Sequence, residues 1–150
     1  MAAALAFLHH VAAFALVAAI VVEFVLIRGT ITVESARKIL RFDAVYGMSA
    51  MAVLAIGLFR VFFFEKGAGY YFQSVPFLAK LALFAVVGLA SIKPTLEFLS
   101  WRTALKQGQM PAIDPRKLGI IRSILHWELA GVVLILLCAA LMARGIGFFG

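Results

Sequence analysis

Residues 3–27 read AALAFLHHVAAFALVAAIVVEFVLI, an apolar run interrupted only by His9, His10 and Glu23. A helix of about 20 apolar residues crosses the hydrocarbon core of a bilayer, so this stretch decides the fold class. Three more segments of the same kind follow. Residues 43–64 carry Arg60 near their end, residues 76–92 carry Lys80 near their start, and residues 124–143 carry His126 and Glu128 near their start. Lipid offers no hydrogen bonds to a backbone, and a helix satisfies its own. The expected fold is therefore all-α: an integral membrane four-helix bundle with antiparallel spans, forming one domain over residues 1–150. No internal repeat or long linker divides it.

Composition leads to the same place. The chain is 65% hydrophobic and only 14% charged, against about 45–50% and about 25% in soluble domains. So few charges cannot cover a soluble exterior. This excludes a cytosolic enzyme, a disordered chain and a nucleic-acid-binding domain; the partner that the composition requires is the lipid bilayer. The first span lacks the basic flank of a secretory signal and is too long for its apolar region, so it is expected to stay as a membrane helix. The single Cys138 has no disulfide partner and reads as apolar filler.

Basic residues set the orientation. Of fourteen Lys and Arg, ten fall after spans one and three: Arg28, Arg37, Lys38, Arg41, Lys93, Arg102, Lys106, Arg116, Lys117 and Arg122. The positive-inside rule places those connections in the cytoplasm. Both termini and the loop around residues 65–75 then face outward, the periplasmic side of a bacterial inner membrane. Local signals extend two helices beyond the lipid. Thr32 followed by Glu34 can start a helix that leads into the second span, and Asp114-Pro115 is an N-cap and first-turn pair for the fourth.

Helical phase sorts the polar residues inside the spans. His9 and Glu23 lie about 40° apart around a helix of 3.6 residues per turn, whereas His10 and Glu23 are nearly opposed. Charged groups in a membrane favour a bundle interior or a cavity, so Glu23 and His9 are expected to face inward. On the second span Asp43, Tyr46, Ala50, Val53, Gly57 and Arg60 share a stripe. On the third, Lys80, Phe84, Val87 and Ser91 do so. On the fourth, Glu128 lines up with Gly131, Ile135, Ala139 and Met142, while His126 points the other way. Antiparallel threading then gathers His9, Arg60 and Lys80 near the outer side, with Lys66, Tyr70 and Tyr71 in or near a covering loop. Glu23, Asp43, Tyr46 and Glu128 gather toward the cytoplasm.

The outer group is read as one imidazole beside two cations, with no carboxylate at that depth to complete a metal site of three or four ligands. An axial imidazole and two cations do suit heme b, whose iron takes a His and whose propionates take Arg or Lys. His9 is then the iron ligand, Arg60 and Lys80 meet the propionates, and Tyr70 or Tyr71 covers the pocket. The plainer alternative is that these three side chains are interfacial anchors reaching toward headgroups. For Glu23 and Glu128, structural pairing with Arg41 or Lys93 stands beside proton transfer within a cluster with Asp43 and Tyr46.

Two resemblances bear on these expectations. Leu8-His9, Glu23, Asp43-Ala44-Val45-Tyr46-Gly47, Gly57-Leu58-Phe59-Arg60-Val61-Phe62, Lys66-Gly67 with Tyr70-Tyr71, Lys80-Leu81 and Ser91-Ile92-Lys93-Pro94-Thr95 resemble a bacterial family of small four-span membrane proteins known only as a domain of unknown function. More distantly, Leu8-His9 and Lys80-Leu81 are similar to dipeptides of the heme-binding membrane protoporphyrinogen oxidases, which share the chain's size and span number. That likeness implies His9 as axial ligand and Lys80 as its functional partner; Glu23 and Arg60 have no clear counterpart there. The expected function is binding of heme b, or a related tetrapyrrole, in electron transfer or oxidation, with a membrane redox partner or a second copy of the chain as associate. The alternative is a non-enzymatic membrane component, a transporter subunit or assembly partner, whose small-residue faces such as Gly131 with Ala139 would be helix contacts.

Overall fold

The computed structural model describes residues 1–65 and 67–149; Lys66, placed by the sequence in the covering loop, lies outside them. Six helices follow in order: α1 Ala2–Arg28, α2 Val33–Phe63, α3 Ala68–Phe72, α4 Val75–Ser100, α5 Arg102–Lys106 and α6 Pro115–Ala143. Four of them, α1, α2, α4 and α6, are long and apolar enough to cross a membrane. At 1.5 Å per residue the shortest of these is about 39 Å long, more than a hydrocarbon core needs.

The ends of these helices follow from local chemistry. The Thr32 hydroxyl accepts from the Ser35 backbone N–H, and the Ser35 hydroxyl accepts in return from the Thr32 N–H. This capping box starts α2 ten residues before the expected second span, so the polar run through Arg41 and the span are one helix. Asp114 accepts from the Arg116 N–H at 2.8 Å, and Pro115 opens α6 as expected. The expected third span stopped at residue 92, before Pro94. Instead α4 runs through the buried Pro94 to Ser100. A proline inside a helix removes one hydrogen bond, here to the Ala90 carbonyl, and such a loss is tolerated where neighbouring helices support the backbone.

Two contacts at each end fix the antiparallel threading. At the basic end Arg122 Nε donates to the Ile27 carbonyl at 2.8 Å, joining the start of α6 to the end of α1. Arg37 Nη2 likewise donates to the Leu105 carbonyl at 2.9 Å. At the opposite end, which holds both termini, the Val75 N–H donates to the Gly147 carbonyl at 2.9 Å and the Phe149 N–H to the Gln73 carbonyl at 3.0 Å. The chain's tail is thereby clipped across the start of α4.

The bundle consists of two tight pairs. Helix α1 packs along α2 and α4 along α6; α1 and α6 join the pairs, while α2 and α4 touch sparingly. Leu16, Ala19, Ile20, Ile27, Ile39, Tyr46, Val87, Ile121, Leu125 and Val132 form the buried apolar core between them. Gly131 is where α6 meets α4: a Cβ there would stand 2.5 Å from Val87 Cγ2. This small-residue face is therefore used inside the chain. Gly131→Ala should destabilise the detergent-solubilised protein by about 1–3 kcal/mol, the usual penalty of overpacking. Gly88→Ala, where a Cβ meets nothing within 4 Å, should leave the thermal melting point unchanged or raise it slightly.

Candidate functional site

The polar residues of the terminus-bearing end converge on one cavity. His9 of α1 sits against Gly57 of α2, where a Cβ would lie only 3.0 Å from the imidazole Cε1; a glycine is what allows this approach. His9 Nδ1 is buried, and the imidazole lies within reach of the Val53 backbone one turn before Gly57. His10 is exposed, its Nδ1 lying 2.6 Å from its own helix's Ala6 carbonyl oxygen. The helical-phase reading of the two histidines therefore holds.

Arg60 and Lys80 reach the same space in different states. Arg60 Nη2 pairs with Glu65 Oε1 at 2.5 Å, while its Nε is buried without a partner. Lys80 Nζ lies 3.8 Å from Met142 Sδ and 5.2 Å from the Phe77 ring centroid, and it has no acidic partner among the described residues. Tyr71 donates to the second Glu65 oxygen at 3.4 Å. His9, Gly57, Arg60, Glu65, Tyr71, Lys80 and Met142 line a cavity of about 190 Å³. Ala13, Val53, Leu54, Phe84, Ile135 and Leu136 also line a second, mostly apolar cavity of about 560 Å³ that reaches Tyr46 and Ser91. Both cavities follow the sparse contact between α2 and α4, where Met51 and Leu89 line the wall and are themselves exposed.

Three expectations are corrected here. A carboxylate does stand at the depth of His9. After α2 ends, the Phe64 and Glu65 N–H groups both donate to the Arg60 carbonyl, at 2.9 and 3.0 Å, and this turn folds Glu65 back over the Arg60 guanidinium. Tyr70 does not line the cavity; its ring stacks on Phe148 at 4.5 Å, because the clipped tail lies beside α3. Glu23 and Glu128 do not pair with Arg41 or Lys93, both of which are exposed on other faces.

Those two carboxyls gather instead with Asp43 and Tyr46, as the stripes implied. Glu23 and Glu128 are 1% and 2% exposed, and Asp43 and Tyr46 are also buried. Thr95 Oγ1 donates to Asp43 Oδ1 at 2.8 Å; both Glu128 oxygens and Glu23 Oε1 have no hydrogen-bond partner. The three carboxyls are near enough to act on one another electrostatically. No cation accompanies them among the described residues, so any charge they carry must be cancelled by bound protons or by an entering cation. No three His, Cys, Asp or Glu side chains among the described residues are arranged to hold a metal ion.

A four-span helical membrane protein with a polar pocket at one end and a carboxyl cluster toward the other is the class that fold and site define. The chain belongs to the family described as predicted membrane protein (DUF2214), whose model matches residues 1–147. No curated protein and no solved structure matches it.

Outside the spans, burial and then the adjacent Glu65 carboxylate hold the Tyr71 phenol above its ordinary titration range. Glu65→Gln removes the negative charge that opposes phenolate formation. Ultraviolet titration of the tyrosinate band, with Tyr71→Phe to identify its signal, should show Tyr71 ionising at lower pH in the Glu65→Gln variant. An unchanged titration would contradict the contact.

Proposed function

We propose that this chain binds heme b or a related tetrapyrrole between α2 and α4 and serves electron transfer or oxidation in the inner membrane of a bacterium, with the terminus-bearing end outward. The observation that carries the reading is the His9 imidazole, seated on Gly57 with Nδ1 buried and lining the same cavity as Lys80. The donor set fits such a guest. His9 offers an axial ligand, Lys80 offers a cation for a propionate, and Arg60 contributes a second one that Glu65 already orients. The polar pocket alone is smaller than the roughly 300–1,000 Å³ typical of ligand sites, so a flat ring would need the neighbouring apolar cavity as well, with the side chains between the two moving aside. Ala13, Leu54, Phe84 and Ile135 give that space apolar walls.

Heme b would supply a one-electron iron couple at the membrane interior. The chain's own residues have separate tasks. Gly57 keeps the imidazole in place by close approach, the apolar walls exclude water, and Tyr71 with Glu65 closes the aqueous side. Protein purified after expression with ample heme supply should show a Soret band. His9→Ala should remove it, Gly57→Ala should weaken or shift it, and His10→Ala should leave it intact. A colourless wild-type protein, or a band indifferent to His9→Ala, would overturn the proposal.

A second reading concerns the inner cluster, and the unpartnered Glu128 carboxyl favours it. On this reading Glu23, Asp43, Tyr46 and Glu128 exchange protons within the bilayer. Proton flux into liposomes should then fall by about tenfold or more in Glu128→Gln, an effect equivalent to about 1.4 kcal/mol in the barrier. Flux unchanged by Glu23→Gln and Glu128→Gln together would remove it.

A further inference from the structure

At the basic end, far from the His9 pocket, Arg28, Arg122, Ser123 and His126 line an open cavity of about 550 Å³. These side chains are held in place. The Arg28 guanidinium lies 4.2 Å over the Phe24 ring, and Arg122 Nε is fixed on the Ile27 carbonyl, which leaves its other nitrogens free to bond elsewhere. The His126 ring lies against Phe24, with centroids 6.2 Å apart. Neither arginine has an acidic partner among the described residues. Two guanidinium groups, a hydroxyl and an imidazole around one cavity, with no counter-charge, form a donor set for a tetrahedral oxyanion.

Depth narrows the source. The site stands where the apolar part of α6 begins, and Trp127, whose ring contacts that of His126, is 70% exposed, an aromatic placement typical of a membrane–water interface. Anionic lipid headgroups occupy that level in the cytoplasmic leaflet. We infer that Arg28, Arg122, Ser123 and His126 form a phosphate-binding site that holds the headgroup of an anionic phospholipid. This site does not depend on the tetrapyrrole reading.

The chain has two tryptophans, and Trp101 is 1% exposed while the Trp127 ring stands 5.8 Å from that of His126, which lines the cavity, so intrinsic fluorescence can report on the site. The full-length protein in a neutral detergent is titrated with short-chain phosphatidylglycerol, with short-chain phosphatidylcholine and with inorganic phosphate. Phosphatidylglycerol should change the Trp127 emission at lower concentration than phosphatidylcholine. Arg28→Gln, which removes one charge without touching the Ile27 contact, should weaken that response by about tenfold, and Arg28→Lys should recover part of it. Competition by inorganic phosphate would support recognition of the phosphate itself. A response to inorganic phosphate with none to phosphatidylglycerol would overturn the lipid assignment. Equal responses to the two lipids, or a phosphatidylglycerol response unchanged in both Arg28→Gln and Ser123→Ala, would overturn the site.

Discussion

The arrangement depends on which helices do not pack. Helix α1 lies along α2 and α4 along α6, while α2 and α4 meet only sparsely. In a bilayer, helices associate through close van der Waals fit and polar contacts, since lipid is as apolar as their side chains. Gly57 against His9 and Gly131 against Val87 supply such fit inside each pair. Between α2 and α4 the contact is looser, and the exposed Met51 and Leu89 line the larger of the two cavities there.

The two polar regions obey one constraint in opposite ways. At the terminus-bearing end, charges come with partners: Glu65 joins Arg60 and Tyr71, and Lys80 rests on a thioether and an aromatic ring. Toward the basic end, Glu23, Asp43 and Glu128 are buried together, and among the described residues Thr95 alone donates to them, at Asp43. The first region is suited to orienting a charged edge of a ligand, the second to holding neutralising protons. Tyr46 and Ser91 line the apolar cavity, which neighbours the His9 pocket and so lies between it and the carboxyl cluster.

Much of this is legible in the sequence, because a membrane helix has to bury its few polar residues and helical phase then tells which face they share. That logic placed His9 inward and left His10 free of the interior, and it put Asp43, Tyr46, Gly57 and Arg60 on one stripe of α2 and Lys80 with Val87 on one of α4. It also fixed the start of α6 at Asp114-Pro115. What escaped it depends on backbone path and on the rotation of one helix against another. Glu65 enters the site through a turn after α2 whose course no periodicity encodes, and Tyr70 is drawn aside by a tail clipped to α4. The expected pairing of Glu23 and Glu128 with Arg41 or Lys93 used depth alone; Arg41 and Lys93 are on outward faces. The expected third span ended near residue 92, yet α4 runs on through Pro94 to Ser100.

A crystal structure of the full chain, purified from membranes supplied with heme, is the most direct measurement of the central claim. The result expected is flat electron density between α2 and α4, joined to the His9 imidazole and approached by the Lys80 ammonium. Closure of α2 onto α4 along the whole seam, or acyl-chain density there with His9 bonded to protein alone, would contradict it.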